Sequence, residues 1–85
     1  MTKPWLSLSI AVGLVLVLAT PTWADYQAGV DAYHASDYQT ALKEFRPLAD
    51  QGDAAAQNTL GYMYELGKGV SQDYQEALRW YRLAA

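Results

Sequence analysis

Residues 73–85 read DYQEALRWYRLAA, and residues 37–49, placed 36 positions earlier, read DYQTALKEFRPLA. Seven of the thirteen aligned residues are identical. In both segments the apolar residues stand at i, i+3, i+4, i+7, i+10 and i+11, the spacing that forms one stripe along an α-helix. The chain therefore carries the same amphipathic helix twice, which indicates a repeat whose units cover each other's apolar faces.

Another helical segment precedes each of these two, so the sequence predicts two helical hairpins. Asp53 is placed to cap a helix over residues 54–66, and a shorter helix is predicted over residues 26–35. A turn at residues 67–70 carries two glycines, which adopt positive φ at low cost. Four helices in two antiparallel hairpins follow from this order.

The predicted core lies on the apolar stripes of these helices. Gly61 belongs to it, because a glycine inside a helix costs about 1 kcal/mol relative to alanine and is best explained by a neighbouring helix that approaches closely. The residues predicted to form the repeat core are Tyr38, Ala41, Leu42, Phe45, Ala56, Leu60, Gly61, Tyr64, Tyr74, Ala77, Leu78 and Tyr81.

The first 24 residues have the layout of a secretory signal peptide. Lys3 supplies a positive charge, residues 6–19 form an uncharged, mostly apolar run of 14 residues, and small residues precede a cut after Ala24. The run is shorter than the roughly 20 residues that cross a bilayer. We therefore expect a periplasmic or secreted mature chain. The alternative is an uncleaved leader that anchors the chain in the inner membrane.

The charge of the mature chain restricts its partners. Without the leader, the chain has five Lys and Arg residues and nine Asp and Glu residues, so its net charge is −4. An acidic surface disfavours nucleic acid and anionic membranes, both of which attract basic proteins. We expect no nucleic-acid partner and, once the leader is cleaved, no stable membrane insertion. Since the chain has no cysteine, packing or association must stabilise it without disulfides.

The second half of the chain, from about residue 50 to residue 85, resembles the Sel1-like repeat. The resemblance is carried by Ala56, Leu60, Gly61, Tyr64, Gly67, Gly69, Val70, Asp73, Tyr74, Ala77, Trp80, Tyr81, Ala84 and Ala85. Residues 26–52 resemble a shorter, degenerate unit closer to a tetratricopeptide repeat. The resemblance implies an all-α fold, a short right-handed α-solenoid in which the first helix of each hairpin lines a concave side.

The expected organisation is a signal peptide at 1–24, a degenerate first hairpin at 25–52 and a Sel1-like repeat at 53–85 that lacks its C-terminal end.

The resemblance implies a non-enzymatic adaptor that binds a protein or a peptide, without a cofactor. Two alternatives stay open. One is a truncated gene product or a fragment of a longer repeat protein. The other is a hydrolase of the kind labelled β-lactamase in cysteine-rich relatives, whose cysteines this chain lacks.

Four residues are candidates for contact with a partner. Asn58, Tyr62 and Glu65 stand at i, i+4 and i+7 on the helix face opposite Leu60, and the family geometry implies that this face lines the concave side. An ordinary solvated helix face is the alternative interpretation. Trp80 lies one step off the stripe of its helix, and we expect it to be exposed where a further repeat would pack. Self-association through this open end is a further expectation.

No catalytic residue and no metal site are predicted. His34, the only histidine, is followed by Ser36 and Asp37 at one helix end, whereas a triad needs side chains that converge from separated segments. A single histidine without cysteine leaves no typical set of metal ligands. Capping of helix starts and turns explains most of the remaining carboxylates, which are Asp31, Asp50, Asp53, Asp73 and Glu76.

Overall fold

The computed structural model describes residues 23–85, and it describes Trp23 and Ala24 only as helix backbone. The predicted signal peptide therefore lies, apart from the backbone of these two residues, outside the described residues. A cut after Ala24 would fall within the first turn of the first helix.

Four α-helices and no strand make up residues 23–85. They are α1 (Trp23–His34), α2 (Tyr38–Asp50), α3 (Ala54–Leu66) and α4 (Tyr74–Ala84). Each helix packs on the next along the chain, and the connections are short, with three, three and seven residues. None of these four helices combines the length and apolarity that spanning a bilayer requires. The all-α class is confirmed, as a short α-solenoid of two helical hairpins.

Aspartate side chains fix where three of the helices begin. Asp53 accepts hydrogen bonds from the backbone amides of Ala55 at 3.0 Å and Ala56 at 3.3 Å. Asp37 and Asp73 each accept from the amide three residues further on, at 3.3 and 3.1 Å. These bonds satisfy amides that have no partner within the helix, so the caps predicted from the sequence are confirmed.

The connection at residues 67–73 folds back onto the end of α3. Gly67 ends that helix with a φ of 71° and donates its amide to the carbonyl of Met63. The amide of Asp73 donates to the carbonyl of Tyr64 at 2.9 Å. The connection is therefore held at both ends by α3, which leaves its middle free to contact α2.

The core is continuous from α1 to α4. Its largest fully buried side chains are Phe45, Leu60 and Met63. A Cβ atom on Gly61 would lie 2.7 Å from the ring of Tyr81, and one on Gly29 would lie 2.7 Å from the ring of Phe45. The other buried apolar residues are Ala32, Ala41, Leu42, Leu48, Ala49, Ala56, Ala77 and Trp80. The close approach expected at Gly61 is present, and the first hairpin repeats it at Gly29.

One polar side chain is buried between the two hairpins. Gln57 of α3 is 6% exposed, and its Nε2 atom donates a hydrogen bond of 3.0 Å to the backbone carbonyl of Ala49 in α2. A buried amide without a partner is costly, so this bond both satisfies Gln57 and ties the two helices together.

The prediction of core positions is wrong for two residues of α4. Tyr74 is 66% exposed and Leu78 is 44% exposed. Their counterparts in α2, Tyr38 and Leu42, are half-buried and buried because the second hairpin covers them. Within the described residues nothing lies over the corresponding side of α4.

The expectation that Trp80 is exposed is also wrong, since this side chain is only 5% exposed and belongs to the core. Ala77, Trp80 and Tyr81 stand at i, i+3 and i+4, so they share one face of the helix. That face packs on α3, so Ala77 and Tyr81 of the predicted stripe are covered together with Trp80, whereas Tyr74 and Leu78 of the same stripe stay exposed.

A hydrogen bond between α3 and α4 fixes the Tyr81 ring over Gly61. The Tyr81 hydroxyl donates to the Glu65 carboxylate at 2.7 Å. Burial, followed by the hydrogen bond to Glu65, raises the pKa of Tyr81 to about 12. The neutral phenol is therefore the form that the fold favours.

We predict that Gly61→Ala destabilises the protein although alanine is the better helix former. The added Cβ forces the tethered Tyr81 ring to move, which costs about 1–3 kcal/mol and exceeds a propensity gain of about 1 kcal/mol. Urea denaturation measures the free energy of unfolding. Asn58→Ala, at an exposed position of the same helix, is the control and is expected to be neutral or slightly stabilising. A Gly61→Ala protein at least as stable as the parent would contradict the close contact.

We also predict that the fold loses stability in alkaline solution through Tyr81. Because its pKa is raised from about 10 when unfolded to about 12 when folded, its contribution is complete below pH 10 and declines as the pH rises toward 12. Denaturation midpoints across this range should fall less steeply for Tyr81→Phe than for the parent. Tyr74→Phe, which changes an exposed ring, should retain the parental slope. Equal slopes for all three proteins would show that Tyr81 does not act in this way.

Candidate binding groove

A groove runs between α1 and α3 with a side chain of α2 at its base. Its volume is about 330 Å³, near the lower end of the range for ligand sites. The residues that line it are Val30, Tyr33 and His34 from α1, Phe45 from α2, and Asn58, Thr59 and Tyr62 from α3. The lining is mostly apolar and aromatic, with an amide and an imidazole at the surface.

The glycine contact in the first hairpin builds the base of the groove. Gly29 lets α1 approach the ring of Phe45, and Tyr26 packs on the same ring with 5.4 Å between ring centroids. Tyr33 packs edge-on against Tyr38 at 5.3 Å. The wall formed by α1 is therefore held against α2 by aromatic contacts, and two of the rings involved, Tyr33 and Phe45, also line the groove.

Burial raises the pKa of Tyr33, and the nearby phenols of Tyr62 and Tyr38 raise it further. Tyr33 therefore stays a neutral phenol near neutral pH. The Thr59 hydroxyl already donates to the carbonyl of Ala55 at 2.9 Å. The Asn58 amide, by contrast, is exposed and makes no side-chain hydrogen bond within residues 25–85.

The structure brings together two of the four residues that the sequence nominates for partner contact. Asn58 and Tyr62 both line the groove, and Tyr62 is 49% exposed. Glu65 is engaged by Tyr81, and Trp80 is buried in the core. Glu65 and Trp80 therefore serve the packing of α4 on α3, whereas a binding role for Asn58 and Tyr62 stays a prediction.

Sequence reasoning missed the wall contributed by α1. Gly29 and Gly61 stand at equivalent places, because the rings that they contact, Phe45 and Tyr81, are 36 residues apart. The residue after each glycine lines the groove, Val30 in α1 and Tyr62 in α3. Gly29 aligns with Gly61 in the sequence, and carrying that alignment one residue further, from Tyr62 to Val30, would have identified the wall.

The side chains that line the groove are suited to binding a ligand by apolar contacts and hydrogen bonds, and less suited to catalysis. Among the described residues no carboxylate lines it, so these residues do not supply the acid and base pair of a glycosidase. Within the described residues no three His, Cys, Asp or Glu side chains are grouped to hold a metal ion. His34, Ser36 and Asp37 lie exposed at one turn, and Asp37 caps α2.

The other carboxylates considered from the sequence have structural partners or are exposed. Asp31 accepts from the Gln27 side chain at 3.0 Å, and Asp50 is exposed at the end of α2. Glu76 pairs with Arg79, whose hydrogen bond lowers the pKa of that carboxyl.

Comparisons with known proteins agree with this architecture. The family model described as Sel1 repeat matches residues 54–85. The chain is 35% identical over 71 residues to the chitin synthase regulator SKT5 of Saccharomyces cerevisiae. That match covers 84% of this chain but 10% of the yeast protein, so the chain spans about a tenth of this relative's length. No solved structure matches the chain.

The family match coincides with the second hairpin, whose turn, aspartate cap and glycine contact are described above. It covers the whole of α3 and α4 and the connection between them. The yeast relative extends the similarity beyond this hairpin, since 71 residues exceed the length of one repeat. Residues 54–85 of this chain therefore match the Sel1 repeat family.

Proposed function

We propose that this chain is an exported, non-enzymatic adaptor that binds a protein or peptide segment in the groove between α1 and α3. Sel1 repeats generally serve as protein-interaction modules and not as enzymes. The observation that carries the proposal is the groove itself, in which an apolar base is bordered by an unpaired amide and a half-exposed tyrosine.

The groove suits one or two apolar side chains of an extended segment. Val30 and Tyr33 form one wall above the buried Phe45 ring and are partly exposed, so an apolar side chain would exchange water for carbon contacts along this wall. Tyr62 has the features of an interface hot spot, since it is a large, amphipathic ring on the exposed face of α3.

The polar groups of the groove suit a peptide backbone. The Asn58 amide both donates and accepts, so it can pair with one peptide unit of an extended segment. The Tyr33 phenol stays protonated near neutral pH and is able to donate. With no Lys or Arg among the described residues that line it, and a net charge of −4 on the mature chain, the groove does not provide the basic surface that nucleic acid requires.

The role of the yeast relative in regulating chitin synthase belongs to that protein. This chain spans about a tenth of it, so the shared feature is the repeat. We transfer to this chain only the capacity to hold another protein.

We predict that groove residues, and not other exposed residues, carry binding. Peptides that bind the purified chain are first selected from a displayed random library. Their affinity for the chain should fall at least about fivefold when the chain carries Tyr62→Ala or Asn58→Ala, because each side chain is expected to contribute about 1 kcal/mol or more. Tyr74→Ala makes the same change as Tyr62→Ala at an exposed site outside the groove, and it should leave the affinity unchanged. Equal losses for Tyr62→Ala and Tyr74→Ala, or failure to select any peptide, would count against the groove.

The export component of the proposal rests on residues 1–24 and has a separate test. We expect the chain expressed in a bacterium to reach the periplasm with Asp25 as its first residue, measured by intact mass. Ala24→Leu removes the small residue before the cut and should leave the leader attached. Ala28→Leu, beyond the cut, should be processed normally. Recovery of the unchanged parent in the membrane fraction would favour an uncleaved anchor.

A further inference from the structure

Charge is distributed unevenly between the first and second helices of the two hairpins. The helices that wall the groove, α1 and α3, contain no Lys or Arg and three carboxylates, those of Asp25, Asp31 and Glu65. Four of the five Lys and Arg residues within residues 25–85 lie in α2 and α4. The groove therefore lies between two helices whose negative charges are not balanced by Lys or Arg of the same helices.

The fifth cation, Lys68, is directed to α2. It follows α3 in the connection to α4, and its Nζ atom lies 5.3 Å from the centroid of the Tyr38 ring. Neither Lys68 nor Tyr38 is among the described residues that line the groove. The contact is a cation–π interaction, in which the negative face of an aromatic ring attracts a positive charge.

Tyr62 presents an aromatic ring of the same kind in the groove, where no cation of the described chain covers it. The ring is 49% exposed. Burial is the main cause of the raised pKa of Tyr33 and of Tyr81, and the phenol of Tyr62 adds to the shift in both cases. The Tyr62 phenol is therefore close to the α1 wall on one side and to the Tyr81 hydroxyl on the other.

Glu65 supplies a carboxylate oxygen beside this ring. It stands three residues after Tyr62, on the adjacent turn of α3. Its Oε1 atom accepts from the Tyr81 hydroxyl at 2.7 Å, whereas its Oε2 atom accepts no hydrogen bond within residues 25–85. No Lys or Arg of the same residues pairs with Glu65. The bond from Tyr81 thus fixes the carboxylate and leaves one oxygen to an outside donor.

We propose that the groove recognises an arginine of the bound segment, an inference that rests on the proposed function. The guanidinium stacks on the Tyr62 ring and donates to Oε2 of Glu65, and an adjacent apolar residue of the segment contacts Val30 and Tyr33. A guanidinium suits both contacts because it is planar and carries several N–H donors, whereas a lysine ammonium is a compact charge without a plane to stack.

The surrounding charges favour this occupant over an acidic segment. The C-terminal end of α1 lies at His34 beside the groove, and the partial negative charge of a helix C-terminus attracts cations. An acidic segment would bring its carboxylates close to that of Glu65. The net charge of −4 on the mature chain also steers basic partners toward it at low ionic strength.

The test compares arginine with its uncharged isostere, citrulline. Peptides that bind the purified chain are selected from a displayed random library, and those whose affinity falls with Tyr62→Ala are kept as groove ligands. We expect arginine to be enriched among them. Replacing that arginine by citrulline should weaken binding at least about tenfold, because a charge-assisted hydrogen bond and a cation–π contact are lost together.

Glu65→Gln tests the partner of the guanidinium. The amide keeps an oxygen for the Tyr81 hydroxyl and loses the charge, so the affinity for the arginine peptide should fall about fivefold or more and that for the citrulline peptide less than about twofold. Both peptides meet the same variant, so any general loss of stability cancels in their ratio. Asp50→Asn, which removes one charge from an exposed site at the end of α2, is the control and should leave the ratio unchanged.

The outcomes separate this inference from the proposed function. Groove ligands without arginine, or equal affinity for the arginine and citrulline peptides, would overturn the inference and leave a peptide-binding groove in place. Equal effects of Glu65→Gln and Asp50→Asn on the ratio would also overturn it. Failure to select any peptide that depends on Tyr62 would overturn both.

Discussion

The contact between a helix glycine and an aromatic ring of the next helix sets the geometry of each hairpin. Gly29 meets Phe45 and Gly61 meets Tyr81, in both cases so closely that a Cβ would overlap the ring. A glycine in mid-helix is unfavourable by itself, so these positions persist only because the helices are pressed together there. The Phe45 ring at the base of the groove is a direct result of this approach.

Contacts between the hairpins are richer in hydrogen bonds than contacts within them. Inside the hairpins, aromatic rings pack across the helices, and the bond from Tyr81 to Glu65 joins α3 and α4. Between hairpins, hydrogen bonds from Gln39, Arg46 and Gln57 accompany the apolar contacts and end on two carbonyls and a phenol. Hydrogen bonds require defined directions, whereas apolar contacts tolerate sliding. The polar contacts therefore select one orientation of the second hairpin on the first.

Helical periodicity and capping were enough to predict the four helices, because both are local properties of the chain. The capping residue Asp53 and the mid-helix glycine Gly61 can be recognised from the sequence without knowing how the helices pack. The core positions of α4 were predicted less well, because periodicity defines a stripe but not which part of it a neighbour covers. Tyr74 and Leu78 repeat Tyr38 and Leu42 in sequence, yet they lie exposed, while Trp80 turns toward α3. For these three residues, the packing of α4 against its neighbours, and not helical periodicity, determines whether the side chain is buried.

Only part of the groove lining could be predicted from the sequence, for a related reason. Asn58 and Tyr62 follow from the face of α3 opposite Leu60, since a single helix determines that face. Val30 and Tyr33 depend on how α1 lies relative to α3, which the repeated second helices do not reveal.

The buried bond from Gln57 to the Ala49 carbonyl has a consequence for how the groove receives a ligand. Breaking it would leave the buried Gln57 amide without its partner, whereas the Ala49 carbonyl would keep its bond from the Gly52 amide, so rocking of one hairpin against the other is disfavoured by the cost of the unpaired amide. The two walls are thus held at a fixed separation before anything enters. A ligand meets a preorganised site and loses little affinity to ordering its receptor, but the same rigidity restricts it to shapes that already match.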